Sequence, residues 1–298
     1  MFVYDNIFKN EDEMRVFIKD AEDKYKNQVL KIADEISQID HIKFLTLAGP
    51  TCSGKTTTSY ILEHEFEKRG MTVKIISIDD FYRDRSDISD DEIPDYESIS
   101  AIDFSIFEDC VNKILNGETA MLPIFDFKIG TRAKFIPYSP AEHEIVIFEG
   151  IQAIYPEILA TLPKSLSKSI YISVDDDVMA YGSHFEKREI RFYRRLVRDY
   201  LFRNATVSRT LELWNGVVEN EEKNIIPNGK NADYIINSFL PYELAVIKHY
   251  LLNTISYDMT KSCERDLFET IIKEFQNIPI IPSELVPQDS VFREFIGK

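Results

Sequence analysis

KFLTLAGPTCSGKTTTSYILEHEFEKRG, Lys43 to Gly70, decides the fold. Its first six residues form a short apolar run that stops at Gly49, the pattern of a buried strand. From Thr56 to Arg69 the spacing is helical, and Gly70 closes it. Between the two, Gly49-Pro-Thr-Cys-Ser-Gly-Lys-Thr56 fits G-x-x-x-x-G-K-[ST]. Successive backbone N–H groups of such a glycine turn, backed by a helix N-terminus, make a concave seat for anions. Lys55 can reach outer phosphates as a point charge, and Thr56 can place its hydroxyl on Mg²⁺. The pattern therefore implies a nucleoside triphosphate with its metal. It leaves the acceptor open: water gives a hydrolase or switch, a hydroxyl gives a kinase.

Outward from this unit, TVKIISI (72–78), EIVIFEG (144–150), SIYISV (169–174) and DYIIN (233–237) are further apolar, β-branched runs. Both faces of each are apolar, as in central parallel strands covered by helices. Helical spacing occupies 10–38 and the stretches around 102–116, 176–222 and 240–254. Alternating strands and helices predict an α/β domain with a mainly parallel sheet. Residues 83–100, rich in Asp and Ser, read as a surface loop. The expected organisation is a helical extension at 1–40, a nucleotide-binding domain at 41–240, and helices at 241–298 packed on that domain.

Composition narrows the partners. The chain has 298 residues, 44% hydrophobic, with 51 acidic against 35 basic side chains and a formal net charge of −16. So acidic a surface disfavours non-specific nucleic-acid binding. No apolar run approaches the ~20 residues of a membrane span. Cys52, Cys110 and Cys263 lack metal spacing and suit free thiols in a reducing compartment, so a cytoplasmic protein is expected. The N-terminal helix either docks on the domain or pairs copies into a homo-oligomer.

Two strand ends carry acids. Ligands gather at the carboxyl ends of parallel strands, which places Asp79 or Asp80, and Glu149, beside the glycine turn. One of the paired aspartates can accept a proton from an attacking hydroxyl, strand alternation sending the two to opposite sides. Glu149 suits an outer-sphere Mg²⁺ partner. A positive block balances them: Glu186 to Arg203, EKREIRFYRRLVRDYLFR, holds six Arg and one Lys. Arg191, Arg194 or Arg195, and Arg198 recur at three- and four-residue steps and so share a helix face. Phosphoryl transfer supplies an anion for such guanidinium groups. The block at about 180–210 is expected to be a lid, open when empty and closed over triphosphate.

Several segments resemble the uridine kinase and phosphoribulokinase family of P-loop kinases over roughly residues 42–240. Ile78-Asp79-Asp80-Phe81-Tyr82 resembles the family's Q-D-S-F-Y. Asp95 to Asp103 looks like N-F-D-H-P-D-A-F-D, with Glu97 in place of the ribose-binding Asp. Pro123 to Arg132 resembles P-x-Y-D-F-x-x-H-S-R, with Phe125 for the Tyr and Gly130 for the His. Phe148-Glu149-Gly150 matches F-E-G, Arg194 to Asp199 matches R-R-x-x-R-D, and Pro227 to Ile236 resembles P-x-x-K-x-A-D-x-I-I. The family's last lid arginine is replaced by Ala205, with Arg209 nearby to substitute. Segments at Trp214, Glu221–Ile225 and Asp289–Gly297 look like a bacterial uridine-kinase-like branch.

The resemblance implies an ATP- and Mg²⁺-dependent kinase acting on a hydroxyl of a small ribose-containing acceptor, uridine or cytidine foremost. The alternatives are another small alcohol or sugar phosphate as acceptor, or a nucleotide-dependent switch. The last is disfavoured by the lack of an N/T-K-x-D motif. It implies Asp79 as base, with Lys55, Arg195 and Arg198 as catalytic groups. Gly49, Ser53, Gly54, Lys55, Thr56, Thr57, Arg194 and Arg203 would hold the nucleotide. Tyr82, Glu97, Phe125, Phe127 and Arg132 would hold the acceptor, and Thr56, Glu149 and Asp79 the metal.

Overall fold

The computed structural model describes residues 1–5, 8–87, 96, 98–255 and 262–297. In chain order its elements are β1 (Phe2–Tyr4), α1 (Glu11–Ser37), β2 (Phe44–Ala48), α2 (Lys55–Lys68), β3 (Val73–Ser77), α3 (Phe104–Leu115), β4 (Ala120–Asp126), β5 (Thr131–Tyr138) and β6 (Ile145–Glu149). There follow α4 (Pro156–Thr161), β7 (Ser167–Ser173), β8 (Val178–Ala180), β9 (Ser183–Phe185), α5 (Lys187–Arg203), α6 (Val207–Asn220), α7 (Ile226–Gly229), β10 (Tyr234–Asn237), α8 (Glu243–Ile255), α9 (Ser262–Phe275) and α10 (Arg293–Ile296).

The five apolar runs of the sequence become one sheet, ordered β10-β7-β2-β6-β3 and parallel throughout. Strand β2 is buried along its whole length, and its pleat divides the core. Leu45 and Leu47 face one apolar layer, shared with α1, α2, α5 and α8; Phe44 and Ala48 face the other, with α3, β4 and Phe148. Helix α1 starts at Asn10, whose side chain accepts the Glu13 N–H, and buries Ile18, Tyr25, Val29 and Ile36. The Tyr25 hydroxyl meets Thr58 Oγ1 at 2.7 Å, tying α1 to the first turns of α2.

Three features depart from the sequence reading. Residues 178–185, expected within a helix, form the hairpin β8–β9, and β1 joins it in parallel. The N-terminal extension is thus a strand followed by a helix. Second, β4 and β5 pair into an antiparallel hairpin that periodicity did not reveal. Pro123 argues against a strand at β4, and β5 is half-exposed or exposed along its length. Third, α5, in the segment expected to act as a lid, is packed on the domain by an apolar face that the arginine spacing did not reveal. Its residues Ile190, Phe192, Tyr193, Leu196 and Val197 are all buried.

Candidate active site

The glycine turn runs from the end of β2 into α2 through backbone that few residues adopt. Gly54 has φ +91° and Cys52 φ +58°, so two residues in the left-handed region curl the chain into a cradle. At Gly49 a Cβ would stand 2.0 Å from the Ile172 carbonyl oxygen, so only glycine passes there. Cys52 fills space as a buried free thiol. Ser53 Oγ is buried with no hydrogen-bond partner. Lys55 Nζ donates to the carbonyls of Gly49 and Pro50 at 3.0 and 3.1 Å.

A cleft of about 750 Å³ opens over this turn, bordered by Lys55, Thr56, Asp79, Glu149, Arg198 and Arg203. The two aspartates sit on a 3₁₀ turn, Ile78–Phe81, so their roles diverge by turn geometry and not by the strand pleat. Asp79 Oδ1 accepts the Tyr82 hydroxyl at 3.1 Å. Asp80 Oδ1 accepts the Phe125 N–H at 3.0 Å and so fastens β4 to the strand end. Desolvation raises the Asp79 carboxyl above its ordinary range, against the Tyr82 hydrogen bond and the Lys55 charge. Desolvation likewise pushes Glu149 up to about 7, with Lys55 opposing and the charges of Asp79 and Glu294 adding. Hard oxygens crowded in this way favour a cation. Among the described residues, no three His, Cys, Asp or Glu converge as a metal site. Two carboxylates, Asp79 and Glu149, with the Thr56 hydroxyl on one cleft are a donor set of the kind that fits Mg²⁺, which takes one or two carboxylates and draws its other ligands from phosphate and water.

Beyond Asp79 stands an aromatic wall. Tyr82, Tyr96, Phe125 and Phe127 pack with ring centroids 5.1–6.2 Å apart. Gln152 Nε2 donates to the Tyr96 carbonyl at 2.6 Å and to the Tyr82 hydroxyl at 3.0 Å, fixing two of the rings. Phe127 is 60% exposed and so available to a ligand. Arg132, expected to touch the acceptor, is committed elsewhere. Its Nε donates to Asp84 at 3.2 Å and its Nη1 to Asp103 at 2.6 Å, which holds the β4–β5 hairpin in place. Glu97 lies outside the described residues.

The arginine block divides into structural and cleft-facing members. Arg191 makes a fork onto Glu221 at 2.5 and 2.6 Å and donates to the Thr51 carbonyl at 3.2 Å. Arg194, expected on the triphosphate, is fully buried and engaged by Glu243, the Ser238 carbonyl and the Cys52 carbonyl. It braces the phosphate loop from behind. Arg195, expected to be catalytic, points its Nε at Asp199 (3.2 Å) and lies 5.9 Å from the Trp214 ring, outside the cleft. Arg209 pairs with Glu212 and does not replace the missing lid arginine in the cleft. Arg198 and Arg203 alone of the block line it. Arg198 and Arg203 bring like charges to one cleft, a repulsion that an anion would relieve.

Thr57 is engaged in an unexpected way: its N–H and hydroxyl donate to Glu294 Oε2 at 3.2 and 2.9 Å. The sequence reading missed Glu294, and also Tyr96, Gln152, Glu221 and Glu243. Glu221–Ile225 and Asp289–Gly297 stood out as segments, but no local spacing links them to residues up to 237 positions away.

The profile of the Phosphoribulokinase / Uridine kinase family matches residues 44–245. The chain belongs to this family. Curated relatives include a uridine kinase of Clostridium novyi (strain NT), 31% identical over 193 residues, covering 64% of this chain and 84% of that protein. Another, a uridine kinase of Halalkalibacterium halodurans, is 30% identical over 194 residues, covering 64% and 83%. Among solved structures, that of a possible uridine kinase from Bacillus stearothermophilus covers 72% of this chain and 99% of its own, at 16% identity and a TM-score of 0.47. As a member of the phosphoribulokinase and uridine kinase family, the chain is a small-molecule kinase, a phosphotransferase acting on a hydroxyl group.

Proposed function

We propose that the chain moves the terminal phosphoryl group of Mg·ATP to a hydroxyl of a small, ribose-containing acceptor, the 5′-hydroxyl of uridine or cytidine foremost. The observation that carries this reading is Asp79, which borders the phosphate cleft and is hydrogen-bonded to Tyr82 of the aromatic wall. A carboxylate at that junction can take the proton of an attacking hydroxyl while a planar group rests against the rings. The curated relatives named uridine kinases support the acceptor class.

In this reading the backbone N–H groups of the Gly49–Thr57 turn (Pro50 has none) and Lys55 seat the polyphosphate, and the Ser53 hydroxyl finds its partner there. Arg198 and Arg203 stabilise charge spread over the equatorial oxygens of the moving group. Thr56, Glu149 and Asp79 would hold Mg²⁺, which when bound would neutralise phosphate charge. Arg194 and Arg191 serve by keeping the loop in shape.

A second acceptor class has its own support. Phe125 and Gly130 stand where the resemblance has Tyr and His, so the pocket lacks two groups that would hydrogen-bond a pyrimidine edge. Gly130 has φ +68°, which disfavours a side chain there. An alcohol or sugar phosphate needing no such contacts is the alternative. The test is ADP release from Mg·ATP over a panel of nucleosides, sugar phosphates and small alcohols. Turnover that requires uridine or cytidine supports the first reading and turnover with another alcohol the second; ATP consumption indifferent to every alcohol defeats both.

A further inference from the structure

The segment Asp289–Gly297, conspicuous in the sequence but given no task by phosphoryl transfer, folds back on the phosphate loop. Val291 lies against Gly54, where a Cβ would meet its Cγ2 at 2.4 Å. Three residues on, Glu294 accepts both hydrogen bonds from Thr57 described above. Thr57 lies in the first turn of α2, ahead of the first intrahelical bond, Thr58 N–H to the Gly54 carbonyl. Its N–H has no helical acceptor and stands at the positive end of the helix dipole. Such donors are what a loop of this pattern offers to phosphate oxygens. Here a carboxylate of the same chain already holds them.

We infer that Glu294 is an internal competitor for the phosphate seat at Thr57, and that its side chain leaves Thr57 when a nucleotide binds. The inference rests on the proposed use of the loop for a nucleotide. Only the side chain has to move, because the segment around it is anchored. Val291, Phe292 and Phe295 are buried, and the Arg194 guanidinium lies 4.8 Å from the Phe295 ring centroid. Arg293 donates to the carbonyls of Ser283, Val286, Pro287 and Gly297, and Asp289 pairs with Lys26 at 2.8 Å. Unpacking three core side chains costs far more than turning one partly exposed carboxylate. There is space to receive it: Glu294 borders the phosphate cleft and also a cavity of about 990 Å³ between α1, α2 and the C-terminal segment. Apparent donor affinity is then the intrinsic affinity reduced by the fraction of molecules whose seat is free. Glu294 thereby sets nucleotide affinity, for substrate and product alike.

The test compares full-length wild type with Glu294→Gln and Glu294→Ala, using calorimetric titration with Mg·ADP and a non-hydrolysable Mg·ATP analogue, together with thermal melts of the unliganded proteins. Both variants are expected to bind nucleotide about tenfold more tightly, since a charged competitor is removed. Unliganded, both are expected to melt at lower temperature, because Thr57 loses its cap in the alanine variant and keeps only an uncharged acceptor at the positive end of the helix in the glutamine variant. These opposite signs separate competition from a merely structural role, in which affinity and stability fall together. Nucleotide affinity that is unchanged or weakened overturns the inference while leaving the nucleotide site intact. If no protein binds either probe, the nucleotide reading itself falls, and the inference with it. Should the two variants not fold, Glu294→Asp keeps the charge but shortens its reach to Thr57, and tighter binding is expected there too.

Discussion

Arg194 and Glu243 form a forked ion pair inside the protein, Nε to Oε2 at 2.5 Å and Nη2 to Oε1 at 2.8 Å, with side-chain exposures of 0% and 1%. The same guanidinium donates to the Cys52 carbonyl at 3.1 Å, so the arginine helix is bolted to the rear of the phosphate loop. The cationic block of an acidic chain thus answers two needs. Arg191 and Arg194 neutralise buried carboxylates and hold the cradle by the Thr51 and Cys52 carbonyls; Arg198 and Arg203 face the space above it.

This division predicts different outcomes at neighbouring positions. Arg194→Met leaves Glu243 buried without its counter-charge and should cost about 3–5 kcal/mol of stability. The double change Arg194→Met with Glu243→Met should recover much of that loss. Arg198→Met should change stability far less, because Asp199 keeps Arg195 and Arg203 as neighbours. It should instead lower kcat by about 10²-fold or more, as expected for lost transition-state charge stabilisation. Urea denaturation and steady-state kinetics of the four proteins check this. An Arg194→Met protein as stable as wild type would refute the bracing role.

What the sequence disclosed, and what it hid, follows from the range of each signal. The loop Gly49–Thr56 and the strand ends bearing Asp79 and Glu149 were legible because strand, turn and helix are local patterns. The arginine periodicity was equally clear, yet it specified only a shared helix face. Whether Arg194 met a phosphate or Glu243 depended on a carboxylate 49 residues away. The hairpin β8–β9 was hidden by its three-residue strands, too short for any period to register. Glu294 was invisible for the same reason as Glu243: its partner Thr57 is distant in sequence.

Asp79→Asn should abolish phosphoryl transfer while leaving nucleotide affinity within a few-fold. The amide keeps the size of the side chain and can still accept the Tyr82 hydroxyl, but it cannot take a proton. The check is single-turnover transfer alongside equilibrium binding of Mg·ADP. A variant with wild-type transfer would remove Asp79 from the role of base.

Gly54→Ala tests how the loop and the C-terminal segment share one space. At φ +91° an alanine is strained, and its Cβ would stand 2.4 Å from Val291 Cγ2. Backbone strain of this kind costs on the order of 1–3 kcal/mol, and the collision adds to it. Pairing it with Val291→Ala should relieve the collision but not the strain, so the double variant should regain part of the lost stability. Chemical denaturation of the two single variants and the double variant would reveal the coupling; strictly additive losses would argue against contact between these residues.

Glu149 gives the stability of the unliganded protein a pH dependence of defined sign. Its carboxyl is held at about 7 in the fold, against an ordinary value of 4.5 expected in the unfolded chain. Between those limits the folded state binds more protons than the unfolded one, so stability falls as pH rises from about 4.5 to 7 and stays lower above. Asp79, also raised, contributes with the same sign. The Glu149 share is about 3–4 kcal/mol at most, since one pKa unit corresponds to about 1.4 kcal/mol. Glu149→Gln should flatten this slope and stabilise the unliganded protein at pH 8. Mg·ADP, by bringing a cation to the carboxylate, should stabilise wild type more than the variant at that pH. Melting curves from pH 4.5 to 8 with and without Mg·ADP measure both effects, and equal slopes for the two proteins would show that Glu149 titrates as an ordinary surface acid.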